Sequence, residues 1–213
     1  MAQFNTVKGL SLSELDCIDE IIDFYTSKNR KLQFESIPTK ADHDLMRSLS
    51  LKGFYQSDFH TSFFCKPSDR TSSHNEAINI RELGADEFDL YAEIHCRGTG
   101  LPIAGKDHVA GNNKILYNRK GWKFYLALIN NTPAGVGVLF LKDGIASLTF
   151  ATTLHVCRNS GLQRALIERR ISDAMNNDCR LVVSQAAYVS TSHRNMERSG
   201  MRIGYTRATW VQS

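Results

Sequence analysis

Ala151-Thr-Thr-Leu-His-Val-Cys-Arg158-Asn-Ser-Gly161-Leu-Gln-Arg-Ala165 is the stretch on which the reading of this chain turns. Small and β-branched residues close a strand, a short polar turn follows, and a glycine opens a helix. From Gly161 to Asn176, Leu162, Ala165 and Leu166 begin an apolar face that Ile167, Ile171, Ala174 and Met175 continue at helical spacing. The first turn of any helix holds backbone N–H groups without intrahelical acceptors, at the positive end of the macrodipole. A glycine there lets an anion approach the backbone closely, and Arg158 and Arg164 add positive charge on either side. The segment is therefore a candidate cradle for a pyrophosphate.

Working outward, Cys179 to Ser184 reads as a short buried strand, Ser192 to Ser199 as a helix stopped by Gly200, and Met201 to Val211 as a closing strand. On the N-terminal side, Ile145 to Leu154 is a strand set off by Asp143-Gly144. Lys123 to Ile129 and Ala134 to Leu141 flank Asn130-Asn131-Thr132-Pro133, a hairpin signal. Ala77 to Leu83 predicts a strand and Asp86 to His95 a helix. Arg97 to Gly111, rich in glycine, predicts a loop with a short helix after it. The order from Ala77 is strand, helix, loop, three strands, helix, strand, helix, strand, a mixed α/β arrangement.

The first third reads as a separate α/β piece. Ser11-Leu-Ser-Glu14 has capping-box spacing ahead of Leu15, Ile18, Ile21, Ile22 and Tyr25. A strand over Leu32 to Ile37, a loop and helix over Pro38 to Gly53, and a strand over Phe54 to Phe64 follow. The polar run Lys66 to Glu76 predicts a linker, which divides the chain into residues 1–75 and 76–213. Leu32 to Phe54 and Leu181 to Met201 share a strand, loop, helix and Gly-containing ending, a weak internal repeat.

Composition narrows the function classes. A hydrophobic fraction of 42% and a charged fraction of 23% are those of an ordinary globular protein, and the most apolar run, Ala134 to Leu141, is only strand-length. The N-terminus lacks the succession of a secretory signal, and the five scattered cysteines form no CxxC. The expectation is a cytoplasmic protein with reduced thiols, no metal site, no membrane partner, and a monomeric or homodimeric state. Arg158, Arg164, Arg169, Arg170, Arg180, Arg194, Arg198, Arg202 and Arg207 enrich the C-terminal part. They suit either a polyphosphate ligand or a solvated helix face balanced by Glu168, Asp173 and Glu197. Without interleaved aromatics they do not predict nucleic-acid binding. Gly100-Leu-Pro-Ile-Ala-Gly105-Lys106 nearly matches a P-loop, but Asp107 stands where a magnesium-ligating hydroxyl belongs, and a helix rather than a strand precedes it.

Arg158-Asn-Ser-Gly161-Leu-Gln163 resembles the Arg/Gln-x-x-Gly-x-Gly/Ala signature of the GCN5-related N-acetyltransferase (GNAT) superfamily, with Ala165 and Leu166 matching the Ala-Leu pair of many members. Ser192-His-Arg-Asn195-Met-Glu-Arg-Ser-Gly200-Met201 is similar to the family's Asn-bearing helix, and Tyr205 to Trp210 to its last strand. The resemblance covers Ala77 to Val211, while the first 75 residues resemble a reduced GNAT-like half. It implies a central, mostly antiparallel mixed sheet flanked by helices, and transfer of an acetyl group from acetyl-CoA to an amine in a ternary complex. By the same resemblance, Thr152, Thr153 and Leu154 would meet the pantetheine arm. Arg158, Asn159, Ser160, Gly161, Leu162, Gln163, Arg164 and Ala165 would hold the pyrophosphate, and Asn195 the far end of pantetheine. Backbone N–H groups near Thr153 and Leu154 would stabilise the oxyanion.

Two departures bear on catalysis. The family's frequent tyrosine is Met196 here and its usual phenylalanine Met201. Protonating a thiolate with pKa near 8.5 saves about 2 kcal/mol at pH 7, whereas freeing an amine of pKa near 10.4 costs roughly 4–5 kcal/mol. A base therefore matters more than an acid, yet Ile145 to Leu154 contains no carboxylate. Glu93, His95, Tyr188 and His193 are the substitutes in view, and the sequence assigns the role to none of them. The same departures suit a rival, a non-catalytic module that binds acyl-CoA or CoA as a sensor.

Overall fold

The computed structural model describes residues 5–68 and 75–212, so the linker expected over Lys66 to Glu76 lies partly outside the described residues. In chain order the strands are β1 (Thr6–Lys8), β2 (Gln33–Ser36), β3 (Phe54–Cys65), β4 (Ile78–Glu82), β5 (Trp122–Ile129), β6 (Thr132–Lys142), β7 (Ile145–Thr153), β8 (Leu181–Ala187) and β9 (Arg202–Gln212). The helices are α1 (Cys17–Thr26), α2 (His43–Leu51), α3 (Phe88–Thr99), α4 (Lys106–Tyr117), α5 (Leu162–Met175) and α6 (Thr191–Arg198). They divide between two compact units. One takes residues 1–62, 186–193 and 203–213, the other 63–185 and 194–202.

In the first unit β1 pairs parallel with β2, and β2 antiparallel with β9, with Phe34 opposite Trp210. Leu10, Ile18, Leu32, Phe34, Leu45, Leu49, Phe54 and Trp210 form one buried cluster, in which Phe34 and Phe54 meet edge to face at 5.0 Å. Ser11 and Glu14 make the expected reciprocal contacts, the Ser11 N–H donating to Glu14 Oε2 at 2.8 Å. They start a 3-10 turn at Leu12–Glu14 just ahead of α1. Glu35 holds Arg207 at 3.1 Å and Lys8 at 3.4 Å.

In the second unit the strands run in the order β8-β7-β6-β5-β4, antiparallel except for the parallel β7–β8 pair. Asn130 (φ 47°) and Asn131 (φ 63°) form the β5–β6 turn, as Asp143 (φ 51°) and Gly144 (φ 74°) form the next. Left-handed conformation at both central residues matches the twist of a tight hairpin. Side chains alternate across β6. Val136 and Val138 join Tyr91, Ile94, Phe124 and Leu126 beneath α3 and α4. Gly135 and Gly137 face the other way and clear a bed for α5, since a Cβ on them would stand 3.0 and 3.2 Å from Leu162 and Leu166. The unit is thus a mixed sheet with helices on both faces.

The structure corrects two expectations. Arg97 to Gly111 is not mainly loop. Helix α3 continues to Thr99, Gly100 (φ 76°) ends it, and after a 3-10 turn at Ile103–Gly105 the twelve-residue α4 begins. Gly105, Gly111 and a polar sequence conceal the helical spacing of Val109, Asn113, Leu116 and Tyr117, and tertiary packing overrides weak propensity here. Nor do the polar residues of α5 all form a solvated face: Arg170 is 2% exposed, Glu168 5% and Asp173 8%.

Candidate functional site

Strand β7 carries the site because its two edges are used differently. Along β6 it is paired to its end, and the Leu154 N–H still donates to the Ala134 carbonyl at 2.9 Å. Along β8 the register runs from Ile145 opposite Leu181 to Leu148 opposite Ser184, where the Ser184 hydroxyl donates to the Leu148 carbonyl at 3.3 Å. Beyond that point, among the described residues, no strand pairs with this edge of β7. Narrow and wide pairs alternate in an antiparallel ladder. With Leu154 bonded to Ala134, Phe150 and Thr152 face β6 with their backbone groups, and Ala151 and Thr153 turn theirs to the unpaired edge. An unpaired edge of this kind is a template for an extended ligand that carries amides.

The ladder also changes step here. Val138 lies opposite Phe150, but Phe140 lies opposite Ser147, so Leu148 and Thr149 together oppose Leu139 in a β-bulge. Arg170 reaches this irregularity from α5. Its Nη1 donates to the carbonyls of Val138 at 3.1 Å and Phe150 at 3.0 Å, and its Nε to Leu166 at 2.8 Å.

The turn after β7 is held by its own backbone. A 3-10 turn at His155–Cys157 closes with Cys157 N–H on the Leu154 carbonyl at 2.9 Å, and the Ser160 hydroxyl donates to Cys157 at 2.7 Å. Asn159 (φ 63°) and Gly161 (φ 88°) are both left-handed. The Ala165 N–H donates to Gly161 at 3.0 Å, the first bond of α5, so the N–H groups of Leu162 and Arg164 have no acceptor within the helix. A Cβ at Gly161 would point into space whose nearest atom, Ile78 Cδ1, is 4.0 Å away. These open donors and the clearance above them fit a phosphate group.

Of the flanking charges, Arg158 Nη2 donates to the Gly98 carbonyl at 3.2 Å, and Arg164 Nε lies 2.7 Å from Glu168 one turn along α5. Asn195 Nδ2 donates to Gln163 Oε1 at 2.8 Å and so fastens α6 to the first turn of α5. Met196 and Met201 are buried, and Gly200 (φ 72°) ends α6 as its sequence suggests. The Thr153 hydroxyl is buried without a partner among the described residues.

Helix α3 walls the other face of β7. It comes so near that a Cβ on Gly98 would fall 2.3 Å from Thr152 Oγ1. One turn earlier the His95 ring stacks on Phe150, with centroids 4.1 Å apart and planes 11° apart. Burial lowers the pKa of His95, so its imidazole is neutral at pH 7. Its Nδ1 is buried without a partner among the described residues. Glu93 instead pairs with Arg97 at 2.9 Å. Tyr188 and His193 belong to the first unit, where Tyr188 meets Phe59 and His193 edge to face at 6.2 and 5.3 Å. The roles of Phe150, Ala151, Gly98 and Arg170 were not visible in the sequence, because each depends on pairing or packing between distant segments.

No protein-family model matches the chain, and no curated protein matches it in sequence. Solved structures do. A functionally unknown conserved protein from Staphylococcus epidermidis superposes with a TM-score of 0.71 at 13% identity, covering 97% of this chain and 83% of the other. A GCN5-related N-acetyltransferase from Kribbella flavida gives 0.71 at 14%, covering 97% and 77%. Another from Sphaerobacter thermophilus gives 0.70 at 13%, covering 90% and 64%. Identities this low speak to architecture alone, and the architecture agrees with the resemblance in sequence: the chain has the fold of the GCN5-related N-acetyltransferases.

Proposed function

We propose that this protein transfers an acyl group, acetyl in the simplest case, from acyl-CoA to an amine. The observation that carries the reading is the continuity of two backbone surfaces. The unpaired edge of β7 at Ala151 and Thr153 leads through one short turn to the first-turn N–H groups of Leu162 and Arg164. The first suits the amides of a pantetheine arm, the second a pyrophosphate. The solved GNAT structures of the same fold include a tandem GNAT protein of clavulanic acid biosynthesis, described without AcCoA, which agrees with use of this cosubstrate.

In the reaction the amine nitrogen attacks the thioester carbon, the C–S bond breaks, and the sulfur leaves as thiolate to take a proton. The Ala151 N–H would receive the negative charge on the carbonyl oxygen, and the Thr153 N–H, about 6.5 Å further along the strand, would meet an amide of the pantetheine arm. Leu154, to which the sequence also pointed, does not suit this role, because its N–H is engaged by Ala134. His95, neutral and stacked on Phe150, would stand beside the reacting centre as proton acceptor. Asn195 would close the far end of the pantetheine site through its bond to Gln163.

Two observations favour a second reading, a module that binds acyl-CoA without turnover: no carboxylate lies on β7, and the tyrosine position is the buried Met196. Calorimetric titration with acetyl-CoA, CoA and ATP tests the shared premise. Binding of both CoA species without ATP supports it, and no binding of either sinks both readings. Release of free CoA in a screen of amine acceptors then supports the enzyme; binding without release favours the module.

A further inference from the structure

A buried guanidinium costs several kcal/mol of desolvation, and that cost is usually met by a carboxylate. Arg170 has none. It is 2% exposed and, among the described residues, forms no ion pair. Its partners are three main-chain carbonyls, those of Leu166, Val138 and Phe150. Burial brings its pKa down to about 10, which still leaves it charged at pH 7. Leu166 and the bed made by Gly137 surround it, and a Cβ on Gly137 would come within 3.5 Å of its Cζ. An aliphatic side chain would fill such a place at lower cost. What an aliphatic chain lacks is the ability to bond two strands where the bulge breaks their ladder.

The carbonyl of Phe150 belongs to the same amide as the N–H of Ala151. A cation on the oxygen fixes the plane of that amide and draws electron density from its nitrogen, which strengthens the N–H as a donor. The ladder phase turns that N–H to the edge of β7 that β8 has left. We propose that Arg170 is a positioning residue for acyl transfer: seated under the bulge of β7, it orients and polarises the Phe150–Ala151 peptide so that the Ala151 N–H binds the thioester carbonyl. The inference rests on the acyl-CoA reading.

The test is isotope-edited infrared spectroscopy of acetyl-CoA labelled with carbon-13 at the thioester carbonyl, bound to wild type, Arg170→Lys and Arg170→Met. Calorimetry with acetyl-CoA and with CoA, which lacks the carbonyl, accompanies it. Binding to wild type should move the carbonyl stretch to lower wavenumber. Arg170→Met should lose that displacement, and its preference for acetyl-CoA over CoA should fall about tenfold while CoA affinity is kept. Arg170→Lys, which keeps charge without the fork, should retain part of the displacement. An unchanged displacement in Arg170→Met overturns the proposal. So does a loss of CoA affinity as large as the loss for acetyl-CoA, which marks a scaffold role. Should Arg170→Met fail to fold, Arg170→Lys decides: a reduced displacement supports the proposal and a full one overturns it. Wild type that binds neither species removes the acyl-CoA reading itself, a result distinct from all of these.

Discussion

Asn195 and Gln163, 32 positions apart in sequence, are joined side chain to side chain at 2.8 Å across the start of α5. The bond holds the first turn of α5 against α6, beside the N–H groups of Leu162 and Arg164 where we propose that the pyrophosphate binds. Asn195→Ala should therefore weaken CoA binding by roughly tenfold, about what one lost hydrogen bond is worth. Gln163→Ala should do the same, and the double variant should be little worse than either. Calorimetric titration of the four proteins checks this, and fully additive losses would mean the residues act separately.

Gly161 combines a left-handed backbone with empty space beyond its missing side chain. Any L-residue there costs roughly 1–2 kcal/mol from backbone strain alone. Gly161→Ala and Gly161→Val should lower the thermal midpoint by similar amounts. The valine should raise the KM or Kd for acetyl-CoA further, because its branches enter the space above the helix. Equal affinities in the two variants would place the pyrophosphate elsewhere.

Beneath the sheet, Tyr125 donates to Asp173 at 2.6 Å, and Asp173 also accepts from Arg169 at 3.1 Å. Burial and the neighbouring carboxylate both raise the Tyr125 pKa, so the phenol stays protonated and remains a donor. Asp173→Ala leaves that hydroxyl unanswered in the core and should cost about 3 kcal/mol. Tyr125→Phe, which removes the donor but leaves Arg169 in place, should cost about 1 kcal/mol. Denaturant unfolding measures both.

Acid should loosen the fold in two separate windows. Burial lowers the pKa of His95 and of His60, so the unfolded chain takes up protons first as pH falls below the ordinary histidine range near 6.5. Stability then declines as pH drops from about 7 towards 5, and the decline should be shallower in His95→Phe, which keeps the stack on Phe150. Glu87 behaves differently. Arg81 and the Gly84 N–H hold its pKa at about 2, so its contribution is present above the unfolded value near 4.5 and disappears between there and about 2. Urea midpoints across pH should show the first slope change with the histidine variant alone and the second with Glu87→Gln.

The features legible in sequence are those set by local chemistry. Asn130-Asn131, Asp143-Gly144, Gly161 and Gly200 all adopt the left-handed conformations their residue types favour, and the strands and helices between them lie close to where periodicity puts them. The tight turn at Gly161 was legible for the same reason. Helix α4 was not, because its apolar positions are few and two glycines interrupt them. Arg170 looked like one surface arginine among several, since helical periodicity assigns polar residues to solvent. Only the shift of register between Val138 and Phe140 explains why a cation belongs in the core. The donors at Ala151 and Thr153 were hidden likewise, because which way an N–H points depends on pairing with a strand elsewhere in the chain.

The contact between Gly98 and Thr152 also limits what lineages of this protein can explore. With 2.3 Å between a prospective Cβ and Thr152 Oγ1, position 98 admits no second residue unless position 152 changes with it. Substitution at either site is thereby coupled to the other. The stretch just beyond Gly98 is under no such steric constraint: Leu101 and Ile103 are exposed, and a Cβ on Gly105 or Gly111 would meet nothing within 4 Å. Substitutions can accumulate there, a few residues from that contact, without disturbing it.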